Sequence, residues 1–495
     1  MTPSRVLVAN RGECACRIIR TLSALGLETV AVHSEADRNA RFVEAADHSR
    51  EIGPASPADS YLDIDRIIEA GREVGVHAVH PGWGFLSESP EFARRVEQEG
   101  WIYIGPTADQ VLQLGDKTQA RTLALASGVP CAPSLVPPGP GSTEDPSWAR
   151  ELNDWGSALL IKATRGGGGK GMRIVRDLDQ LEQSLESAQR EALAAFGDDS
   201  VFIEKLIEPA RHIEVQLIGD GLGEVAILGD RECTLQRRHQ KLIEESPAPS
   251  LPSRQRSDMH EAAGRLAQSV NYRGAGTVEF LFDGEQFYFL EMNTRLQVEH
   301  PVTEQVHGVD IVELQWQVAT GQARLAELEL NSTGGHAIEV RINAEDPAAD
   351  FLPSVGTLTR CLWPQMDGVR IDSGVRQGDR ISAHYDPMLA KIIAHGATRE
   401  DATRRLVAAI ESTLIAGVET TLPFCRDLLC SSDFDAGTAH TTLVEEKWGD
   451  WQAPQLEPIW LQAIGRAARQ LLGSTAGDGA QVSGCWQRLP GRVWP

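Results

Sequence analysis

The sequence predicts a multidomain protein built from α/β and α+β units. Three observations carry that expectation. The first hundred residues alternate short apolar strands with helical segments, a glycine run at 166–171 joins two strand-like segments, and a strand-rich stretch opens at His336 after the breakers Asn331-Ser-Thr-Gly-Gly335. With 495 residues the chain has room for about three domains, each with its own core.

The N-terminal unit reads as a strand Arg5-Val-Leu-Val-Ala9, a helix around Cys16 to Leu25, and a strand Thr29-Val-Ala-Val-His33. Strand-like His77-Ala-Val-His80 and Trp101-Ile-Tyr-Ile-Gly105 follow, with a helical stretch between them. This repetition implies a parallel sheet with helices on its faces. No complete G-x-G-x-x-G follows the first strand, so dinucleotide binding is not supported. The proline- and glycine-rich stretch from Cys131 to Ser142 marks a change of unit near 130–147.

Residues 115–325 concentrate the chemistry. Ala158-Leu-Leu-Ile-Lys162 and Met172-Arg-Ile-Val-Arg176 are strand-like, and Gly166, Gly167, Gly168, Gly169, Lys170 and Gly171 lie between them. A P-loop or a Rossmann turn joins a strand to a helix and uses the helix N-terminus for the phosphate, so neither fits. A glycine flap between antiparallel strands can fold over a triphosphate instead, because backbone N–H groups reach phosphates only where no side chain intervenes. Lys162 and Lys170 would add the charge. A flexible surface loop is the plainer reading of the glycines taken alone.

Downstream, Thr277-Val-Glu-Phe-Leu-Phe-Asp-Gly-Glu-Gln-Phe-Tyr-Phe-Leu-Glu291 reads as a hairpin turning at Asp283-Gly284. A loop at 284–286 places Glu279 directly opposite Glu291. Facing carboxylates in an apolar hairpin repel, and a divalent cation removes the problem. With the amide oxygen of Asn293, the pair suits Mg²⁺, which takes oxygen ligands and shares its other positions with water and phosphates. From Glu291 to Glu299 polar residues occupy every odd position, so an extended strand would line Glu291, Asn293, Arg295, Gln297 and Glu299 along one face. A half-exposed strand with a solvated side gives the same alternation.

Lys plus Arg count 47 against 70 Asp plus Glu, a net charge of −23, which argues against general binding to nucleic acid or an anionic membrane. The basic cluster Arg237-Arg-His-Gln-Lys241 is either a solvated loop or an anion site. Eight cysteines without C-x-x-C or zinc spacing read as free thiols in a reducing compartment. No signal peptide and no membrane-length apolar run are present, so a cytoplasmic location is expected.

Several separate motifs, Ala9-Asn-Arg-Gly-Glu13, His80-Pro-Gly-Trp-Gly-Phe-Leu-Ser-Glu88, Gly115-Asp-Lys117, the glycine loop, Gln236-Arg-Arg-His-Gln-Lys241, Glu291-Met-Asn-Thr-Arg-Leu-Gln-Val-Glu-His-Pro301 and Arg341-Ile-Asn-Ala-Glu-Asp346, resemble those of biotin carboxylase, an ATP-grasp enzyme. The resemblance covers roughly residues 4–446. It implies a Rossmann-like N-terminal domain at 1–114, an ATP-grasp domain at 115–330 with its lid at about 131–204, and an α+β C-terminal domain at 331–446.

It also implies roles. Lys117 and Lys162 would contact ATP phosphates, with Glu204, Lys205, Leu206, His212, Gln236 and His239 around adenine and ribose. Glu279, Glu291 and Asn293 match the metal positions, for Mg²⁺ or Mn²⁺. Lys241, Arg295, Gln297, Val298 and Glu299 match the bicarbonate site, and Arg341, Trp83 and Asp386 the biotin side. Glu299 would deprotonate bicarbonate while Arg295 and Lys241 hold it in line with the γ-phosphate. The carboxyphosphate formed would release carbon dioxide to biotin, whose enolate Arg341 would stabilise. For any one of these residues alone the plainer reading is structural, such as an Arg295–Glu299 ion pair or a surface His239.

Trp83 stands where the family usually has tyrosine. Cys14 and Cys16 replace residues that are commonly apolar, Cys16 beside Arg17 in a region that contributes to the family's dimer contact. None of the six methionines is followed by lysine, so biotin is expected on another polypeptide or on sequence beyond this stretch. The segment 447–495 carries five of eleven tryptophans and a helix expected at 458–472. It resembles the start of the linker in acyl-CoA carboxylase α-subunits, implying a carrier and a carboxyltransferase as partners, with a homodimer as the assembly of this chain. Another ATP-grasp ligase and a non-catalytic nucleotide-binding subunit are the competing readings.

Overall fold

The structure, a computed structural model, describes residues 4–137, 152, 154, 155, 158–164, 172–328 and 334–453. The glycine run 166–171 and the expected helix at 458–472 lie outside them.

Strands β1 (Arg5–Val8), β2 (Glu28–Ser34), β3 (His48–Gly53), β4 (Ala78–His80) and β5 (Ile102–Tyr103) form a parallel sheet in the order β3-β2-β1-β4-β5. Its inner strands β2, β1 and β4 are buried on both faces, as helix-covered parallel strands must be, while the edge strand β3 is half-exposed. The helix Gly12–Ala24 follows β1 directly. Gly82, in the loop after β4, has φ +69°, and a side chain there would meet Cys14 Sγ at 2.5 Å and Asn10 Nδ2 at 2.6 Å. Cys14 is thus the floor under the Pro81-Gly-Trp loop.

Strands β6 (Ser134–Leu135), β7 (Leu159–Ala163), β8 (Arg173–Val175) and β9 (Val201–Lys205) make a small antiparallel sheet, β6-β9-β7-β8. The glycine run therefore joins two antiparallel neighbours, Leu160 pairing with Ile174.

The third sheet is shared by the central and C-terminal units. Strands β10 (Arg211–Asp220), β11 (Val225–Arg237), β12 (Gln240–Ser246), β13 (Arg273–Phe282) and β14 (Phe287–Asn293) continue without a break into β15 (His336–Asn343) and the strands Met388–Gly396 and Val369–Ser373, eight in one sheet. The strand-rich stretch expected to open a separate α+β unit pairs with β12, Glu244 opposite Glu339.

Strand alternation sorts the faces of this sheet. In β10, Ile213, Val215 and Leu217 pack in one cluster with Met259 and Leu266 of the helix Ser253–Ser269, while His212, Glu214 and Gln216 point the other way. On that second face, cross-strand neighbours run Glu291, Glu279, Glu214 and Arg231. Beyond the irregular β11–β12 register the row resumes with Glu244 and Glu339, then Arg341, Lys391 and Asp372. A row of charge, buried except towards Glu291 and Arg341, thus crosses the sheet.

Candidate active site

Glu279 does lie opposite Glu291, but not by the expected 284–286 loop: the turn pairs Phe282 with Phe287, and a register shift between Phe280 and Glu279 restores the facing carboxylates. The polar alternation does not continue as a strand, however. β14 ends at Asn293, residues 294–298 form no strand, and Glu299 is the N-cap of the helix His300–His307. The return of the chain still converges the odd residues, because Asn293 Nδ2 and Gln297 Nε2 donate to the same Glu279 oxygen at 2.8 and 3.1 Å. Arg295 donates to Asn293 Oδ1 at 2.9 Å and to Gln297 Oε1 at 3.0 Å, and its charge faces Glu88 at 3.2 Å. An Arg295–Glu299 ion pair is therefore not formed.

Lys241 is the centre of the site. Its ammonium lies 2.6 Å from Glu214, 2.9 Å from Glu279 and 2.6 Å from Glu299. The basic cluster splits here. Lys241 points inward, whereas Arg237 and Arg238 both pair with Asp350, at the turn where Arg238 and His239 take φ of 47° and 65°. Gln236 is buried opposite Lys241, and His239 is exposed.

Glu299 is fully buried and accepts from Lys241 and, at 3.0 Å, from Arg341. Burial alone would raise its pKa, but Lys241, Arg341 and Arg231 outweigh this and hold it well below the ordinary 4.5. Glu279 is likewise shifted down against its burial, by Lys241 and His212, whose Nε2 lies 3.0 Å away. Glu244 goes the other way. Desolvation pushes it up to about 7 despite the Arg341 guanidinium, which donates to it at 2.5 Å.

The nucleotide side is assembled from both sheets. Lys162 is buried and paired with Glu204, which Arg121 reaches at 3.3 Å. Lys205 and Leu206 donate their backbone N–H groups to Pro133 and Ala158. Lys117 begins the helix Lys117–Ala126, its ammonium 3.7 Å from Glu291. Val298 is buried beside Glu299, with its carbonyl held by Lys391 at 2.6 Å. On the expected biotin side, Trp83 is half-buried in the loop above Cys14. Asp386 is exposed, 4.0 Å from Arg11, in an open cavity of about 460 Å³ that Asp37 and Tyr385 also line.

Glu214, Arg231, Glu244 and Lys391 carry no local motif that marks them in the sequence. Among the described residues, the groups whose ligand atoms lie close enough to share an ion are His212–Glu214–Glu279 and Glu214–Cys233–Glu299, both built on Glu214. The polar positions His212, Glu214 and Gln216 in an otherwise apolar strand were the available signal. Arg231, fully buried, holds that carboxylate and donates to Gln216 at 2.7 Å and Thr303 at 3.0 Å. Arg17 is committed inside the chain, to Glu304 at 2.6 Å and Asp310 at 2.9 Å, so its guanidinium is not offered to a second copy.

A small antiparallel sheet carrying Lys162 and Glu204, beside a large sheet whose hairpin carboxylate Glu291 faces Lys117, defines an ATP-grasp enzyme. Residues 2–111 match the biotin carboxylase N-terminal domain, 116–328 the ATP-binding domain of the carbamoyl-phosphate synthase L chain, and 339–446 the biotin carboxylase C-terminal domain. The biotin carboxylase of Haemophilus influenzae is 45% identical over 445 residues, 90% of this chain and 99% of that one. The methylcrotonoyl-CoA carboxylase α-subunit of Rattus norvegicus is 45% identical over 472 residues, 95% of this chain, which spans 65% of that subunit's length. The biotin carboxylase domain dimer of the Hydrogenobacter thermophilus 2-oxoglutarate carboxylase, solved with MgADP, ADP and bicarbonate, superposes with a TM-score of 0.84 at 41% identity, covering 90% of this chain and 98% of that one. The chain belongs to the biotin carboxylase family of ATP-grasp ligases. Among the described residues no helix is long and apolar enough to cross a membrane.

Proposed function

We propose that this chain uses ATP and bicarbonate to carboxylate biotin held on a carrier domain or protein, the first half-reaction of a biotin-dependent carboxylase of acyl-CoA type. The observation that carries it is Glu299, a buried carboxylate whose two oxygens meet Lys241 and Arg341. The ATP phosphates would lie against Lys117, Lys162 and the glycine loop with Lys170, and the base and ribose near Glu204, Lys205, Leu206, His212, Gln236 and His239.

Glu279 and Glu291, paired across one hairpin, offer the hard oxygen donors that suit Mg²⁺ or Mn²⁺, with Asn293 beside them. When bound, the ion would neutralise charge on the transferring phosphoryl group.

With both cations on it, Glu299 is a weak base. Bicarbonate entering between Lys241, Arg295, Gln297 and Val298 would draw Lys241 onto itself, and biotin would draw Arg341. Glu299 then regains basicity as the proton it must remove arrives. Oriented by Arg295 and Lys241, the deprotonated bicarbonate attacks the γ-phosphorus to give carboxyphosphate and ADP. Its breakdown yields carbon dioxide and phosphate, and the phosphate removes the ureido N–H proton. Arg341 stabilises the resulting enolate, with Trp83 and Asp386 on the side where the carrier approaches. The dimeric neighbour supports a homodimer, and the acyl-CoA carboxylase relative supports a carrier and a carboxyltransferase as partners. Seven free cysteines in the described residues support a reducing, cytoplasmic setting.

The test is ATP hydrolysis by the purified chain. It should require bicarbonate and rise with free biotin. Hydrolysis indifferent to bicarbonate but driven by an amino acid would favour a carboxylate–amine ligase, and no hydrolysis at all a nucleotide-binding subunit.

A further inference from the structure

We infer that Lys391 is a positioning residue for the bicarbonate loop, holding Val298, and through it Glu299, against the acidic row. The inference rests on the function proposed above. Lys391 sits mid-strand in Met388–Gly396, 0% exposed, with Arg341 and Asp372 as its cross-strand neighbours. Its ammonium donates to the Val298 carbonyl at 2.6 Å and lies 3.2 Å from Glu13 on the first helix. One side chain thus joins the N-terminal helix, the loop after β14 and the C-terminal strands.

An apolar residue would seal this spot without the desolvation cost of a buried ammonium. What the ammonium adds is directional. Residues 294–298 have left the ladder of β14, so no neighbouring strand fixes the backbone that carries Val298 into Glu299. A charge-assisted bond to the carbonyl one residue before Glu299 fixes it instead. The reacting carboxylate is then aimed at Lys241 and Arg341 by a residue that touches no substrate. Burial acts to lower the Lys391 pKa, but Glu13, Glu339 and Asp372 outweigh it and keep the donor charged.

The test compares E13Q with the double variant K391M/E13Q in the full chain. Removing the pair together avoids stranding one buried charge. In E13Q, which keeps the Val298 bond, the KM for bicarbonate should stay within twofold of wild type. In K391M/E13Q it should rise about tenfold, the size of one charge-assisted hydrogen bond, with the KM for ATP unchanged. Lys391→Arg, which keeps the charge but shifts the donor, gives the same reading if the double variant loses its thermal transition. A bicarbonate KM unchanged in a folded Lys391 variant, or ATP and bicarbonate KM values rising together, overturns the inference and leaves Lys391 a structural staple. Failure of the proposed function is distinct, because wild type itself would then lack bicarbonate dependence.

Discussion

Replacing Glu299 by glutamine tests the mechanism most directly. The side chain keeps its shape but loses its charge and its ability to take a proton. The two cations it neutralises remain paired, because Lys241 retains Glu214 at 2.6 Å and Glu279 at 2.9 Å, and Arg341 retains Glu244 at 2.5 Å. The fold should therefore survive, with a cost of about 1–3 kcal/mol from weakened charge-assisted bonds. The catalytic loss is larger. A positioned general base contributes about 10²–10⁴ in rate, or about 3–5 kcal/mol of barrier. Biotin-stimulated, bicarbonate-dependent ATP hydrolysis should fall by that factor, while the Kd for ATP, measured by titration calorimetry, stays within about threefold because Glu299 makes no nucleotide contact in this mechanism. Turnover within tenfold of wild type would remove Glu299 from the role of base.

Three further outcomes are expected. Lys241→Met leaves three carboxylates around an empty centre and should cost about 3–5 kcal/mol. In the wild type Glu279 and Glu299 titrate below their ordinary 4.5, so their stabilisation is present above that value and is lost as pH falls through the folded pKa values. In K241M, burial without that cation raises the same carboxylates, so protonation relieves the variant and the Tm gap should narrow as pH falls from about 8 towards about 5; a gap independent of pH would contradict the charge argument. Glu291→Gln removes one side of the hairpin carboxylate pair, and the Mg²⁺ concentration for half-maximal rate should rise about tenfold, an unchanged Mg²⁺ titration counting against the metal assignment. Arg17→Met takes one of two cations from buried Glu304, which keeps Arg370 at 2.7 Å, so chemical denaturation should show a loss of about 1–3 kcal/mol, and an unchanged stability would count against the Arg17 pairing.

The local parts of this protein are legible in its residues: the βαβ alternation of the first hundred residues, the glycine run between paired strands, and the facing of Glu279 and Glu291. Alternation is legible because it follows from the backbone period, whereas the turn pairs Phe282 with Phe287 and a register shift beside Phe280, not loop length, brings Glu279 opposite Glu291. Where the polar alternation outlasted the strand, beyond Asn293, the same period misled, since it describes side-chain order and not where pairing stops. Only the tertiary structure decided that Glu214, Arg231, Glu244 and Lys391 share one face with the hairpin pair. Each stands in a strand whose sequence names no partner, and β12 meets β15 across some ninety residues of intervening chain. The pairing of remote strands is set by the packing of whole sheet faces, so a site laid across eight strands exists only once those strands have met.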